Sequence, residues 1–366
     1  METKPGHKGH IGHVDQVRTR YTKFARGKLT FIAVGFCILF LLMIISVYVG
    51  TANIGLKEVI WAIAARFIPS VPKNSLYYSV IWHLRLPRVI MGVFAGAGLA
   101  ASGTVMQAVT RNPLVSPFTL GISSAAALGA SVAIMFTMSH SLMVSGKFII
   151  IINAFIFSLL CTLLVFVLSR KRGNSAEALI LAGIILMYFF SALTSLLQFF
   201  ASEQELTAMV NWTFGSLSGS KWDEILIVLC VLLICIPIMM WFSWDLNAMI
   251  AAGDEEAATL GVNTSIIRNT CLIISSLITA VIISFTGIIG FVGLVAPHLA
   301  RLVIGGDHRF LLPASCISGA IILILADTLG RTIVSPMIIP IGIVVSFIGV
   351  PMFIYLMMIN REEYWG

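Results

Sequence analysis

The chain has 366 residues, 58% of them hydrophobic and only 11% charged, with 23 Lys and Arg against 16 Asp and Glu. Ordinary soluble domains carry about a quarter charged residues, so a water-soluble globule is excluded. Its apolar runs are about twenty residues long and unbroken, which excludes a membrane β-barrel with alternating strands of about ten residues and leaves an all-α, polytopic membrane protein.

Residues 1–28 form a basic tail, with Lys4, Lys8, Arg18, Arg20, Lys23, Arg26 and Lys28 against Glu2 and Asp15. The positive-inside bias assigns it to the cytoplasm, where its composition reads as a disordered tail skimming the membrane. His7, His10 and His13 recur every third residue. Such histidines in a polar tail are usually unliganded, with a metal site as the sharper alternative.

Residues 29–360 then read as one transmembrane domain. The first span, Leu29 to Val49, is too long for a signal-peptide core and lacks a small-residue cleavage site, so it is expected to stay in the mature chain. Residues 50–87 form the longest polar connection, with an amphipathic piece around Val59 to Phe67 lying in the interface. The second span, Val89 to Val109, is charge-free and rich in small residues, and its Gly92 and Gly96 form a pair that lets another backbone approach closely. It ends at Arg111-Asn112-Pro113-Leu114, a proline turn followed by Pro117.

Further spans are expected at Pro117 to Met138, Phe148 to Leu168, Ala178 to Ala201, Ile225 to Trp244 with a kink at Pro237, Asn269 to Phe285, Gly287 to Ile304, Leu311 to Leu329 and Ile338 to Ile359. Ten crossings from a cytoplasmic start put fifteen of the 23 Lys and Arg inside and eight outside, in agreement with the charge bias. The six cysteines, Cys37, Cys161, Cys230, Cys235, Cys271 and Cys316, all lie in apolar runs without CxxC spacing and read as packing residues.

Four stretches stand out. Arg85 and Arg88 precede the second span, and Arg331 lies about 30 Å along the ninth, so three arginines gather at the outer mouth. Asp327, one turn before Arg331, makes a local ion pair one reading, and a docking patch for an acidic partner the other. The loop Asp245 to Asn263 is the only inward loop with enough amphipathic length for short helices, with Leu246, Met249 and Ile250 before Gly253, and Ala257 and Leu260 before Gly261. Asp254, Glu255 and Glu256 open its second piece, where a helix N-terminus favours acids. This loop reads either as a capped surface helix or as an element pushed into a partner.

The run Gly287 to Leu302 carries three glycines and Pro297 beside His298, the mark of a broken helix in a transporter. His298 by itself reads as satisfying a neighbouring backbone. Asn211 to Trp222 reads as an aromatic belt of Trp212 and Trp222, or as a flexible lid over a pore formed by Gly215, Ser216, Ser218 and Gly219. No phosphate-cradling loop, paired zinc ligands, nucleophile elbow or acid pair occurs, so catalysis, a resident metal and a cofactor are not expected in this chain.

Several motifs in order resemble the FecCD-type permeases of ABC importers. They are Arg85-Leu86-Pro87-Arg88, Ser102-Gly103, Met106-Gln107, Arg111-Asn112-Pro113-Leu114, Gly253-Asp254 with Ala257 and Leu260-Gly261, Gly290-Phe291-Val292-Gly293-Leu294 with Pro297-His298, Asp307-His308-Arg309, Pro340-Ile341-Gly342 and Gly349-Val350-Pro351. The resemblance implies ten helices with an inverted repeat of the second to fifth and seventh to tenth. It implies a second permease subunit, two copies of an ATP-binding subunit inside, and a substrate-binding protein outside.

On this likeness Gly253, Asp254, Ala257, Leu260 and Gly261 match the ATPase coupling elements. Arg85, Arg88 and Arg331 match arginines that pair with glutamates of the binding protein. Asn112 and Leu114 match a cytoplasmic gate, and a second gate falls at Ser175 and Ala176, where Glu177 departs from the small hydroxyl residues usual in the family. The implied cargo is a metal chelate, an iron(III)-siderophore first, with haem or vitamin B12 as alternatives. Location is expected to be the cytoplasmic membrane, with both termini inside, lipid around the chain and no role for nucleic acid. An ion-coupled secondary transporter is the rival reading, against which the near absence of midplane ionisable groups counts.

Overall fold

A computed structural model describes residues 8–50, 54–66, 68, 76–139, 146–171, 173 and 175–359. In chain order the helices are α1 (Lys8–Tyr48), α2 (Leu56–Ala64), α3 (Leu76–Val80), α4 (Leu86–Thr110), α5 (Ile122–Ser139), α6 (Gly146–Arg170), α7 (Ala176–Phe200), α8 (Glu203–Thr213), α9 (Trp222–Trp241), α10 (Ser243–Ala252), α11 (Asp254–Thr259), α12 (Thr264–Thr286), α13 (Val292–Ile304), α14 (His308–Thr332) and α15 (Ile341–Ile359). No strand occurs among the described residues.

Among the described residues seven helices are long and apolar enough to cross a bilayer, beginning with Phe24–Tyr48 in α1, and three shorter apolar helices lie in α5, α13 and α15. Together they are the ten expected crossings. A long buried helix followed by a short one and then longer ones occurs twice, as α4 to α7 and α12 to α15, an order that agrees with an internal repeat.

At the centre stands α4. Its Gly96 lies so close to α14 that an added Cβ would meet the Gly319 carbonyl oxygen, and at Gly103 an added Cβ would meet the Gly293 carbonyl. Where Leu and lipid are equally apolar, such backbone contact supplies the dispersion that holds helices together. The two helices run antiparallel, because Gly92 faces Ile324 while Gly96 faces Gly319. α1 runs parallel to α14, with Gly35 against Ile317 and Ser46 bonded to Thr328.

Several expectations on boundaries change. The first helix extends back to Lys8 instead of starting at Leu29, so the helix enters the basic segment read as a disordered tail. The side chains of residues 8–21 and the whole of residues 1–7 are outside the described set, and with them the question of His7, His10 and His13. The second span is preceded by a helical turn over Ile81–Arg85 of π type, so helix is continuous from Leu76 to Thr110.

The third span starts at Ile122, after the turns that Pro117 initiates, and the eighth starts at Val292, after an extended passage opened by Gly287 at φ +69°. α8 has no counterpart among the expected elements. α8 begins at Ser202, whose hydroxyl accepts from the Glu205 backbone N–H while the Glu205 carboxylate accepts from Ser202 N, a capping box readable in the sequence as S-x-x-E.

Candidate functional site

The residues singled out in the sequence collect at the two opposite ends of the bundle. At the first end the three expected arginines do converge, and their guanidinium groups point into the protein. Arg85 is only 6% exposed, and its Nη1 donates to the carbonyls of Val47 at 2.8 Å and Tyr48 at 2.7 Å. Arg331, 5% exposed, donates to the Val49 and Ser46 carbonyls and to the Ser46 hydroxyl at 2.7 Å. The C-terminal carbonyls of α1 have no partner within the helix, and a cation at that end also meets the negative pole of the helix dipole.

Asp327 completes this end. Its Oδ1 accepts from Arg88 Nε at 2.8 Å and its Oδ2 pairs with Arg331 Nε at 3.0 Å. The local ion pair read from the i, i+4 spacing is therefore present, and Arg88 from a distant helix joins it. Arg88 Nη1 goes on to the Ser218 hydroxyl at 2.7 Å, near solvent. Three cations against one buried carboxylate leave a positive surplus here.

The stretch Asn211 to Trp222 lies beside them. Ser216 N donates to the Thr286 carbonyl at 2.7 Å, Gly342 N donates to the Phe214 carbonyl at 3.1 Å, and Leu217 is fully buried. These ties fasten the segment to α12 and α15, which is not the geometry of a free lid. Trp222 Nε1 donates to the Trp82 carbonyl at 2.9 Å, so this ring is tied to a protein neighbour. A cavity of about 700 Å³ opens next to this segment, lined by Lys147, Gln204, Asn211, Ser216 and Thr286 among others.

At the opposite end α10 and α11 form an elbow. Gly253 joins them at φ +90° and ψ 174°, a backbone conformation that a side chain would strain. Leu246, Met249 and Ala257 are buried and fix the elbow to the core, while Leu260 is 71% exposed. Asp254 pairs with Arg268 Nη2 at 2.5 Å, and Arg268 Nε donates to the Val109 carbonyl at the end of α4. Arg268 can bridge Asp254 and Val109 only because α12 lies against α4.

The expected gate residues are at this same end. Arg111 closes α4 in a left-handed conformation at φ 48°, and the Asn112 Oδ1 accepts from Leu114 N at 2.9 Å, which fixes the proline turn and leaves Leu114 exposed. Ser175 is the N-cap of α7, accepting from Ala178 N at 3.2 Å, with Ala176 as the first helical residue. Glu177 lies within electrostatic reach of Arg268 and Arg111.

Behind the elbow, Asp307 caps α14. Burial alone would push its carboxyl up, but hydrogen bonds from Arg309 and Asn247 outweigh that and hold it at about 2. His298 in α13 is buried, and its Nδ1 lies 2.8 Å from the Leu294 carbonyl one turn back, as the plain reading of a histidine satisfying backbone has it. Among the described residues no three His, Cys, Asp or Glu side chains converge as a metal centre would need.

Comparison with known proteins agrees with this architecture. The profile of the FecCD transport family matches residues 38–359. An ABC transporter permease protein of Methanocaldococcus jannaschii is 41% identical over 345 residues, covering 93% of this chain and 97% of that one. The hemin transport system permease protein of Yersinia pestis is 36% identical over 328 residues, covering 89% and 96%. A metal-chelate type ABC transporter solved in an inward-facing conformation superposes with a TM-score of 0.77 at 34% identity, covering 90% of this chain and 99% of that one.

Proposed function

This chain belongs to the FecCD transport family and is an ABC importer permease of that type, and from that premise we propose that it carries a metal chelate, an iron(III)-siderophore, across the cytoplasmic membrane. One observation carries the reading. The elbow of α10 and α11 is anchored by Leu246, Met249 and Ala257 yet presents Leu260 to the outside, as an element seated in a cleft of an ATP-hydrolysing partner must. Two such partners, and a second permease subunit beside this one, complete the transporter. Energy then reaches the chain mechanically, and gating at Asn112, Leu114, Ser175 and Ala176 follows from rocking of the two permease subunits.

The end that carries Arg85, Arg88 and Arg331 is the outer one in this reading. Its positive surplus suits acidic groups of a substrate-binding protein, with Arg88 the member nearest solvent through its bond to exposed Ser218. The elbow end and both termini are cytoplasmic, with residues 1–28 as the inner basic segment and 29–360 as the transmembrane domain. Haem is the second cargo to be weighed, because a relative 36% identical is named for hemin.

The test is uptake into liposomes holding this chain with its ATP-binding subunit and binding protein. Labelled ferric siderophore, haem and cobalamin are supplied separately. Accumulation of the ferric siderophore that needs ATP is the expected result; accumulation of haem or cobalamin alone would reassign the cargo. Uptake driven by an ion gradient without nucleotide would sink the importer mechanism.

A further inference from the structure

Asn247 sits in the middle of α10 and reaches the first residues of α14. Its Nδ2 donates to Asp307 Oδ1 at 2.9 Å, and its Oδ1 accepts from the His308 backbone N at 2.9 Å and lies 2.9 Å from His308 Nδ1. The carboxylate of Asp307 can only accept, so the amide nitrogen of Asn247 must be the end that faces it. The amide oxygen then faces two donors, which places the His308 proton on Nδ1. All three bonds are satisfied by one orientation of one side chain.

A second contact joins the same two helices. The Arg309 guanidinium, held by Asp307 through its Nε and Nη2, lies 4.0 Å from the centre of the Trp244 ring on α10. α10 is therefore fastened to the N-terminus of α14 through both an amide clamp and a stacked cation. α14 has 25 residues, roughly 37 Å of helix. Its far end carries Asp327 and Arg331, which hold Arg88 of α4 and the C-terminus of α1. One helix thus touches the elbow at one end of the bundle and the arginine cluster at the other.

We propose that Asn247 is a positioning residue that makes α14 a rod, so that a displacement of the elbow is delivered to the arginine cluster at the opposite face. The inference rests on the reading of the elbow as the seat of an ATP-hydrolysing subunit. Pro313 in the second turn of α14 removes one backbone hydrogen bond, but beyond it the close contacts of Gly319 with Gly96 and of Ile324 with Gly92 hold the helix along α4, so that α14 is carried as one body and a shift of its first turn reaches its last. The coupling is reciprocal: a partner that binds the arginine end must feel the elbow to the same degree.

The experiment uses the assembled complex in lipid nanodiscs, with the exposed Cys37 and Cys230 replaced by Ser and two spin-label pairs introduced separately. One pair, at Ala258 and Arg170, reports the elbow end, and the other, at Ile333 and Glu203, reports the arginine end. In the otherwise unsubstituted chain, ATP is expected to change both distances.

With Asn247→Ala, the elbow pair keeps its response while the arginine-end pair loses at least half of its amplitude. Stimulation of ATP hydrolysis by the binding protein falls several-fold. Asn247→Asp is nearly the same size but sets a carboxylate oxygen against Asp307, and is expected to give the same split. Full amplitude at Ile333 and Glu203 in both variants would overturn the rod. Loss of the elbow response as well would mean that Asn247 merely holds the elbow's fold, and would overturn the positioning role. No response at either pair in the unsubstituted chain would bring down the reading of the elbow as the seat of an ATP-hydrolysing subunit, and the rod with it.

Discussion

Arg88 and Asp327 lie 239 positions apart in the chain, and Arg88 Nε donates to Asp327 Oδ1 at 2.8 Å in a site where the carboxylate has no exposure. Arg331 takes the other oxygen of the same carboxylate. Removing one partner of a buried ion pair leaves the rest uncompensated, at a typical cost of about 3–5 kcal/mol. Asp327→Asn is therefore expected to lower the unfolding temperature of the purified chain markedly. Thermal melting in detergent checks this, and an unchanged melting temperature would mean that water, not Asp327, balances the arginines.

Close backbone contact makes a sharp comparison among glycines. At Gly103 an added Cβ would run into the Gly293 carbonyl, a backbone atom that cannot swing aside, whereas at Gly306 nothing lies within 4 Å. Overpacking of this kind costs about 1–3 kcal/mol or more. Gly103→Ala is expected to reduce the yield of monodisperse protein on size-exclusion chromatography, and Gly306→Ala to leave it as it was. Equal behaviour of the two would show that α4 and α13 can separate freely.

Leu260 is 71% exposed, so Leu260→Asp should fold normally. In the complete transporter it is expected to abolish most uptake while ATP hydrolysis continues. The ratio of cargo moved to ATP consumed reads this directly. Normal uptake by the variant would remove the elbow from the mechanism.

Asp307 gives a dependence on pH whose sign follows from its depressed carboxyl, at about 2 against an ordinary 3.8. A group held more acidic in the folded state adds stability above its unfolded value, and that addition fades as the pH falls through the folded one. The wild-type chain is thus expected to be more stable than Asp307→Asn at pH 6–7, with the gap closing as the pH drops from about 4 towards 2. Melting curves at stepped pH measure it; a gap that widened on acidification would contradict the bonding described for Arg309 and Asn247.

Much of the fold was legible before any coordinates. Small residues at Gly92 and Gly96 announced a helix that another backbone touches, and Gly319 does so from α14. Gly253 announced the break in the elbow, and the acids after it the start of α11. The capping box that opens α8 is equally visible as S-x-x-E, although the hydrophobic run of α7 just before it obscures the polar helix that follows. The break before Val292 was less legible: glycines permit an extended passage but do not require one, and Phe291 at φ 63° shows that tertiary packing, here against Gly349, enforces it.

The sites divide along the same line. Spacing placed Arg85, Arg88 and Arg331 at one end of the bundle, since a helix rises by a known amount for each residue. It could not tell which way each guanidinium turns, because that depends on which helix stands alongside. Only once α1 lies beside α14 do its terminal carbonyls come within reach of Arg85 and Arg331.

The amino-acid order alone decided which segments leave water and how many times the chain crosses, because the transfer of long apolar runs and the exclusion of charge are local properties of a stretch. The pairing of the charges was decided by tertiary structure, since Asp327 with Arg88, Arg268 with Val109 and Asn247 with His308 are brought together only by helix packing. Covered by packed helices at the two ends of the bundle, Asp327, Arg268 and His308 are almost wholly shielded from water and must find partners within the protein, and packing determines which partner that is.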